Sequence, residues 1–426
     1  MKIKIHRGIN QIGGCITEIA TKKASILIDL GQNLPDGSGR VVDNLANYSA
    51  VESITEGVDA IFYTHYHGDH MGLFHYVQGP TEQYIGQVAR EVLLCKHRQL
   101  AHIKGREDLS QQEIKKILHM HTFRPAQVVR IGDIKVIPYL VSHSAYDAYM
   151  FVIEAEGKRI LHTGDFRGHA YLSKGMIPTL KNLILRDGEI DFLITEGTML
   201  SRSNERLMSE RELQREAEQI MGSYKNVFVL CSSTDMERLA SFYAANKKFK
   251  NRPFICDYFQ QQVLDLFSQT AGRYTSLFRL DKTYLFNVKN KKLIEWMEDK
   301  GFCMLVRATE KFKDYYQALA AHLNSEETLL IYSMWSEYIN TGGKYAQQSS
   351  IEFVSLFPKI KKLHSSGHAS PGFLAEVCTL VNPTLGIIPI HSENSANYLD
   401  LSIPLHLQQK VLLSSSTLEG VEIQIC

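Results

Sequence analysis

The stretch that decides the fold is THYHGDH at residues 64–70, directly after an apolar run at 60–63. It contains four metal-ligand side chains, namely His65, His67, Asp69 and His70. His65 and His67 are two residues apart, so an extended strand end can direct both imidazoles to one face. Asp69 and His70 follow beyond the strand, where they can face a second metal beside the first. Imidazoles with one carboxylate suit zinc, and they can also hold manganese or iron.

The sequence around this cluster has the alternation of an α/β protein. Short apolar runs bounded by glycine, asparagine, aspartate or proline recur, and amphipathic stretches separate many of them. The predicted strands occupy residues 25–28, 60–63, 136–141, 150–153, 159–161, 192–194, 227–230, 254–256, 328–331 and 386–388. Pro138 cannot donate to a sheet ladder, so we expect its run at an edge or a bulge. A charged amphipathic stretch at 205–222 predicts a helix that opens a second unit.

Two further predicted strands end in metal-ligand side chains. The run 136–141 leads to His143, and the run 159–161 leads through His162 to Asp165. Asp165 suits a shared position, because two dications held close together need a common anion. We expect a structural role for His162, since its strand already ends in Asp165.

Length and composition fit an enzyme-sized folded protein. At 426 residues the chain exceeds the size of one hydrophobic core, so we expect two packed units. Lysine plus arginine (47) nearly balances aspartate plus glutamate (46), so any nucleic-acid surface must be local. The densest basic runs are 247–252 and 289–292, with Lys311 and Lys313 further on. Solvated helix faces and loops are the simplest explanation for each run alone.

Cysteine usage and the lack of targeting patterns indicate a cytoplasmic protein. The seven cysteines are scattered, form no C-x-x-C pair and are expected to be reduced core thiols. The N-terminal segment has no apolar region of signal-peptide length, and no later run approaches the roughly 18 apolar residues of a membrane span. We expect no membrane partner, and the sequence leaves the oligomeric state open.

The H-x-H-x-D-H pattern of residues 65–70 resembles that of the metallo-β-lactamase superfamily, and further motifs follow in that family's order. The resemblance implies an α/β fold with an αββα sandwich and two divalent metal ions. It makes His143 the third histidine of the first metal and Asp165 the carboxylate that bridges both. Asp29 matches the family's first acidic motif, where it would orient a ligand histidine. A turn aspartate at a strand end explains Asp29 equally well.

Three later motifs resemble motifs A, B and C of the β-CASP nucleases, a group that includes bacterial ribonuclease J and the endonuclease of messenger-RNA 3′-end processing. They are TEGT at 195–198, LHSSGHAS at 363–370 and IPIHSE at 388–393. Glu196 matches the acid of motif A, His368 the histidine of motif B, and His391 the histidine of motif C. By this resemblance His391 completes the shell of the second metal.

The resemblance also predicts the domain order, because that family carries its β-CASP domain between motifs A and B. We expect the first part of a metallo-β-lactamase domain at 1–203, an inserted α/β β-CASP domain at 204–360, and a return segment with motifs B and C at 361–426. Ribonuclease J continues well beyond motif C, whereas this sequence ends soon after it. Processive 5′ exonuclease action and that family's dimerisation therefore do not follow from the resemblance.

These motifs predict a two-metal phosphodiester hydrolase, most simply a ribonuclease. A metal pair would generate hydroxide and clamp the phosphate, with zinc expected and manganese as the alternative. His368 would protonate the departing alkoxide while Glu196 holds its other nitrogen, and Asp69 completes the expected catalytic set. No further cofactor is expected. A histidine at motif C accompanies RNA-processing members of the superfamily, so single-stranded RNA is the expected substrate, cut internally or from an end.

Two hydroxyl-rich loops, at 365–370 and 232–234, could cradle a terminal phosphate, as a pocket in ribonuclease J does for a 5′-monophosphate. Ordinary helix N-caps explain these serines equally well.

Three other functions compete with this prediction. A small-molecule hydrolase acting on a thioester, lactone or phosphoester would need neither Glu196 nor His368. A DNA nuclease would share the chemistry, but several DNA-repair members carry valine in place of His391. A non-catalytic RNA-binding subunit would be expected to have lost some of the metal ligands, and the six at 65, 67, 69, 70, 143 and 165 are intact.

Overall fold

The computed structural model describes residues 1–36, 40–202, 205, 207–413 and 421–424. Its contacts divide the chain into two compact units. Unit 1 comprises Met1–Leu34, Val41–Glu205 and Gly367–Cys426, and unit 2 comprises Pro35–Arg40 and Arg206–Ser366. The larger segment of unit 2 thus begins after motif A and ends within motif B. Its assignment as a β-CASP insert stays a prediction.

The strands are β1 (Lys2–Arg7), β2 (Ile16–Ala20), β3 (Ser25–Ile28), β4 (Ala60–Phe62), β5 (Glu82–Gly86), β6 (His121–Phe123), β7 (Val129–Ile131), β8 (Ile134–Val141), β9 (Ala148–Ala155), β10 (Lys158–His162), β11 (Phe192–Glu196), β12 (Asn226–Cys231), β13 (Phe254–Cys256), β14 (Tyr284–Leu285), β15 (Phe302–Val306), β16 (Thr328–Ser333), β17 (Ile360–Lys362), β18 (Gly386–Ile390) and β19 (Val421–Gln424).

The α-helices are α1 (Tyr48–Thr55), α2 (Gly68–Met71), α3 (Gln87–Leu100), α4 (Glu107–His119), α5 (Met176–Thr179), α6 (Glu210–Ser223), α7 (Met236–Asn246), α8 (Tyr258–Gln269), α9 (Lys291–Lys300), α10 (Glu310–Ala320), α11 (Gln348–Ser355), α12 (Pro371–Val381) and α13 (Leu405–Gln408). Short 3₁₀ turns include Thr198–Ser201 and Ser395–Asp400.

Unit 1 is built on two sheets. The first has the order β19-β1-β2-β3-β4-β5-β6 and the second the order β18-β11-β10-β9-β8-β7. A buried core that includes Ile26, Phe62, Phe151, Ile160 and Ile194 draws side chains from both sheets, as expected where two sheets pack face to face.

Helices complete the layers of unit 1. A second buried core joins Leu161 and Leu193 of the second sheet to Leu374 and Val377 of α12. Helix α3 contacts β5 and β6 of the first sheet. Alternate residues of one strand therefore face the two different cores, so both faces of these strands are apolar, as their continuous apolar runs predict. The predicted αββα sandwich is confirmed.

The strand directions bring the motifs to one edge of each sheet. β3 and β4 are parallel neighbours in the first sheet. β10, β11 and β18 are parallel neighbours in the second. Because parallel strands end at the same edge, the residues that follow these five strands can converge. Those residues include Asp29, His65, Asp165 and His391, and Glu196 is the last residue of β11.

Pro138 illustrates how the sheet accommodates a missing donor. It lies inside β8 and is paired with Phe151 of β9. On the other side of β8, β7 pairs only with Ile134, Lys135 and Val136. Among the described residues, strand β8 at Pro138 therefore pairs with a neighbouring strand on one side only. Pro138 thus lies at an edge of the sheet, as expected from the sequence.

Unit 2 contains a six-stranded parallel sheet with the order β14-β13-β15-β12-β16-β17. Helix α6 begins later than the sequence pattern predicts, at Glu210 rather than at residue 205. The reason is a capping box, in which Ser209 and Glu212 satisfy each other's backbone N–H groups. In the described part of the chain, every helix is too short or too polar to span a bilayer.

Candidate metal centre

Three histidines of unit 1 form a first donor group. His65 and His67 follow β4, and His143 follows β8. One ligand atom from each of the three lies within 4.8 Å of the others. His143 Nε2 is 3.2 Å from His67 Nδ1. Three imidazoles at this spacing can hold one divalent cation, with open positions for other ligands.

A second group surrounds Asp165. Its Oδ2 lies 3.1 Å from His70 Nε2 and 3.7 Å from His391 Nε2. His391 Nε2 is also 3.2 Å from Asp69 Oδ2. The same Asp165 oxygen is 3.9 Å from His143 Nε2 of the first group. Asp165 thus stands between both sets of imidazoles, as a carboxylate shared by two metals must.

The donors fit divalent metal ions. His65 Nε2 and Asp165 Oδ1 are buried and have no hydrogen-bond partner among the described residues. Unpaired polar atoms are costly in a protein interior, so two of them facing one cluster indicate a missing ligand. Burial lowers the pKa of His65 and His143 well below the usual value and that of His67 to about 4. The neutral imidazole is the form that binds a metal.

Ionisation of Asp165 also suits a metal site. Burial opposes its charge, but the nearby His391 and His70 imidazoles hold the pKa of this carboxyl well below its usual range. Asp165 therefore remains an anion inside the fold, ready to neutralise cations on either side.

Outer hydrogen bonds orient the ligand imidazoles. His70 Nδ1 is 2.7 Å from Asp29 Oδ2, so Asp29 fixes the direction of the His70 ring. Thr64 donates to the same carboxylate from its backbone N–H at 2.7 Å and from its hydroxyl at 2.8 Å. His143 Nδ1 donates to the carbonyl of Gly367 at 2.7 Å. Partners of this kind fix the tautomer and the direction of the metal-binding nitrogen.

Thr198 gives the same support to His391, and the sequence did not single it out. Its Oγ1 lies 2.7 Å from His391 Nδ1 and 3.2 Å from the His391 carbonyl oxygen. His391 itself has a left-handed backbone, with φ of 49°. Its N–H donates to the carbonyl of Gly8 at 2.7 Å. Such backbone geometry persists only where neighbours hold it, and it is common at functional sites.

His368 and Glu196 lie together beside this cluster. His368 Nδ1 is 3.0 Å from Glu196 Oε2 and 3.7 Å from Asp165 Oδ2. Glu196 is buried, and its Oε1 accepts from the backbone N–H groups of Phe166 and Ala369 at 3.1 and 3.2 Å. Burial disfavours the imidazolium, but the charge and hydrogen bond of Glu196 raise the pKa of His368 above its usual value. The pair can hold a proton next to the metal donors.

Other residues singled out in the sequence make local hydrogen bonds. His162 is buried on β10, and its Nδ1 accepts from the Gly164 N–H at 3.2 Å. In the serine-rich loop, Ser370 Oγ caps α12 by accepting from Phe373 N–H at 3.1 Å. Ser365 Oγ donates to the Met208 carbonyl at 2.7 Å. These two serine hydroxyls are thus engaged in local structure.

Comparison with known proteins finds a family match over part of the chain. The profile of the beta-lactamase superfamily domain matches residues 26–220, which include the histidine cluster, His143, Asp165 and Glu196. This segment is thus similar to the beta-lactamase superfamily domain over a little less than half of the chain. The clusters of histidine and aspartate within unit 1 could hold divalent metals.

Several curated relatives have nuclease names. An RNase J-like protein of Methanocaldococcus jannaschii is 27% identical over 272 residues, which are 60% of this chain and 58% of that protein. Cleavage and polyadenylation specificity factor subunit 3 of Dictyostelium discoideum is 24% identical over 322 residues, 70% of this chain and 40% of that protein. Ribonuclease J of Helicobacter pylori is 27% identical over 178 residues, 39% of this chain and 23% of that protein. The chain thus spans less than two thirds of each of these relatives.

A solved structure shares the fold. The crystal structure of a protein of unknown function from Enterococcus faecalis V583 superposes with a TM-score of 0.72 at 18% identity, covering 99% of both chains. At that identity the likeness extends to the architecture alone.

Proposed function

We propose that this chain is a metal-dependent phosphodiester hydrolase that cleaves single-stranded RNA. The observation that supports it most directly is the hydrogen bond between His368 and Glu196 beside Asp165, at 3.0 Å. Hydrolysis of a small ester with a good leaving group needs no such pair, whereas a phosphodiester expels an alkoxide that must be protonated. The pair supplies a proton donor where the metal donors would place the phosphate.

The metal-binding roles follow from the two donor groups. His65, His67 and His143 would hold one ion; Asp69, His70 and His391 would hold the other, and Asp165 would be shared. Bound divalent ions supply a hydroxide nucleophile at neutral pH and neutralise charge on the phosphoryl oxygens. The nitrogen-rich first group favours zinc, and manganese is the alternative that the carboxylates would accept.

The proton transfer is assigned to His368. Because its Nδ1 faces Glu196, its Nε2 is the nitrogen that can transfer a proton to the departing 3′-oxygen. Glu196 is held by two backbone N–H groups, so it fixes the direction of the imidazole and favours the protonated ring. Products should therefore carry 5′-phosphate and 3′-hydroxyl ends, with no cyclic phosphate, since the 2′-hydroxyl is not the nucleophile.

The choice of RNA rests on His391 and on the names of the relatives. His391 occupies the motif C position, which accompanies RNA-processing members of the superfamily. The relatives named above are an RNase J-like protein, a ribonuclease J and a cleavage and polyadenylation specificity factor subunit. An RNA substrate is the simplest partner consistent with His391 at the motif C position and with the names of the relatives.

The test uses end-labelled single-stranded RNA and DNA of one sequence, each with a 5′-monophosphate or a 5′-hydroxyl. His368→Ala should retain the metals yet slow RNA cleavage by roughly 10²–10⁴-fold, the usual effect of losing a general acid. Glu196→Gln should slow it in the same direction and non-additively, because the two residues act as one unit. His102→Ala, at an exposed histidine of unit 1, is the matched control and should cleave at the wild-type rate.

Three results would count against the proposal. An unchanged rate in the His368 variant would remove its assigned role. Faster cleavage of DNA than of RNA would indicate that the enzyme is a DNA nuclease. Hydrolysis of small thioesters or lactones with no cleavage of either polynucleotide would make it a small-molecule hydrolase. Preference for the 5′-monophosphate end would indicate cleavage from that end, and equal rates would indicate internal cleavage.

A further inference from the structure

A cysteine lies against the second donor group. Cys15, next to the first residue of β2, is buried with 2% of its surface exposed. Its Sγ lies with ring nitrogens of His70 and His391 in a set whose members are all within 4.8 Å of one another. All three residues are buried. Sulfur and two imidazole nitrogens at this spacing can bind one divalent cation together.

Backbone contacts hold Cys15 in this position. Its N–H donates to the carbonyl of Asp69, and its own carbonyl accepts from the N–H of Gly31, both at 3.0 Å. A Cβ added at Gly8 would lie 3.1 Å from the sulfur, so glycine there leaves the thiol its room. Gly8 also accepts the backbone N–H of His391. The thiol is therefore tied on two sides to the segments that carry the metal donors.

The two imidazoles are already arranged for metal binding. His70 Nδ1 faces Asp29 at 2.7 Å, and His391 Nδ1 faces Thr198 at 2.7 Å. Each ring thus keeps Nε2 for coordination. His70 Nε2 is buried and lies 3.1 Å from Asp165 Oδ2, the carboxylate of the second donor group. The thiol therefore adjoins an imidazole that already faces this donor group.

The other cysteines provide a contrast. Free cysteines in the described residues also include Cys95, Cys231, Cys256, Cys303 and Cys378. None of these five joins a donor group of three or more among the described residues. The sequence alone classed Cys15 with them as a core thiol, so its placement comes from the fold.

We propose that Cys15 is a ligand of the second metal ion and binds it as a thiolate. On coordination the S–H bond breaks, the sulfur–metal bond forms, and the proton passes to solvent. Thiolate is a soft ligand that selects zinc over manganese, so this site would take zinc although its carboxylates alone could accept either. The inference rests on the metal-binding part of the proposed function and is independent of the substrate.

The experiment loads the full-length protein with Co²⁺ in place of the native metal. A cobalt–thiolate bond gives an intense charge-transfer band in the near ultraviolet, which imidazole and carboxylate ligands do not. The wild type with two ions bound should show this band, and Cys15→Ser should lose it. Cys378→Ser, at another buried cysteine, should keep it. In Cys15→Ser the second ion should bind at least about 10-fold more weakly, and the preference for zinc over manganese should fall.

A measurement on the wild type tests the inference even if the Cys15 variant fails to fold. X-ray absorption of the zinc protein should show a sulfur scatterer at about 2.3 Å. Two bound ions with no sulfur contact would overturn the inference, as would a charge-transfer band that survives in Cys15→Ser. RNA cleavage with two ions and no sulfur contact would leave the proposed function standing alone. A sulfur contact with no cleavage would leave the inference standing and remove the proposed function.

Discussion

Thr198 offers the sharpest test of how the fold positions a metal ligand. Its hydroxyl lies 2.7 Å from His391 Nδ1 and is buried. In the arrangement that suits metal binding, Nδ1–H donates to Oγ1, Oγ1–H donates to the His391 carbonyl at 3.2 Å, and Nε2 carries no proton. Thr198→Val keeps the shape of the side chain and removes both bonds, together with the 3.2 Å contact between Oγ1 and His368 Nδ1. We expect His391 to lose its fixed tautomer.

The size of the effect follows from the contact that is lost. Leaving the buried Nδ1 of His391 without a partner costs about 1–3 kcal/mol. Removal of an outer partner of a metal-bound histidine weakens metal binding by roughly 10–100-fold. Since tenfold corresponds to about 1.4 kcal/mol, the two ranges agree. The second ion should therefore bind roughly 10–100-fold more weakly, while the first ion, held by His65, His67 and His143, should keep its affinity.

The assay is competition for zinc with a chromophoric chelator, which resolves two binding steps. Thr55→Val is the control, because Thr55 is also buried but its hydroxyl donates to the Val51 carbonyl of its own helix, at 3.0 Å. That variant should bind both ions as the wild type does. Equal weakening of both steps in Thr198→Val, or no weakening of either, would refute the assignment of Thr198 as the positioning residue of His391.

Three further predictions concern the shared carboxylate and the interior of unit 2. Asp165→Ala should lower the metal content from two ions to at most one loosely held ion, and elemental analysis that finds two would contradict a bridging role. Arg238 is buried in unit 2 and pairs with the buried Glu210 at 2.8 Å. Arg238→Met should therefore destabilise unit 2 by about 3–5 kcal/mol in urea unfolding, because an unpaired charge remains, and an additional Glu210→Gln should recover part of the loss. The buried Asp257 bonds to Arg307. Burial opposes its charge, but this partner holds the pKa of Asp257 below its usual range. The stabilisation of the folded state by the Asp257 charge is thus complete above the unfolded-state pKa, near 3.9. It is lost as the pH falls through the lower pKa that Asp257 has in the folded state. When the urea midpoint is plotted against pH, its fall at low pH should be less steep in Asp257→Asn than in the wild type. An unchanged profile would exclude this contribution of Asp257 to stability.

The strands and their ends could be predicted from the sequence because both are local features. The predicted run 25–28 coincides with β3, and the run 254–256 with β13. The αββα architecture followed from the family resemblance and is confirmed. The roles assigned to individual metal ligands stay predictions. The fold nevertheless brings the seven candidate side chains to two adjoining donor groups. Asp69 contacts the second group through His391, whose Nε2 lies 3.2 Å from Asp69 Oδ2.

What the sequence could not supply are contacts between distant segments. Thr198 and His391 are 193 positions apart, and His143 and the Gly367 carbonyl 224. No periodicity links such pairs, and a backbone carbonyl has no sequence signature at all. Cys15 was missed for the same reason, since its neighbours His70 and His391 come from other parts of the chain. The boundary of α6 was misplaced because charge pattern alone does not show which serine caps the helix.

The order of the ligands along the chain has a consequence for biosynthesis. His65, His67 and His143 all precede the Arg206–Ser366 segment of unit 2. His391 follows that segment, directly after β18, which pairs in parallel with β11. A ribosome that releases the chain from its N-terminus therefore completes the first imidazole trio well before the second donor group. Pairing across so long an interval is slow, since loop closure precedes any contact that rewards it. A nascent chain that binds metal would thus pass through a mononuclear stage, in which hydrolytic activity is withheld until β18 and His391 have been made.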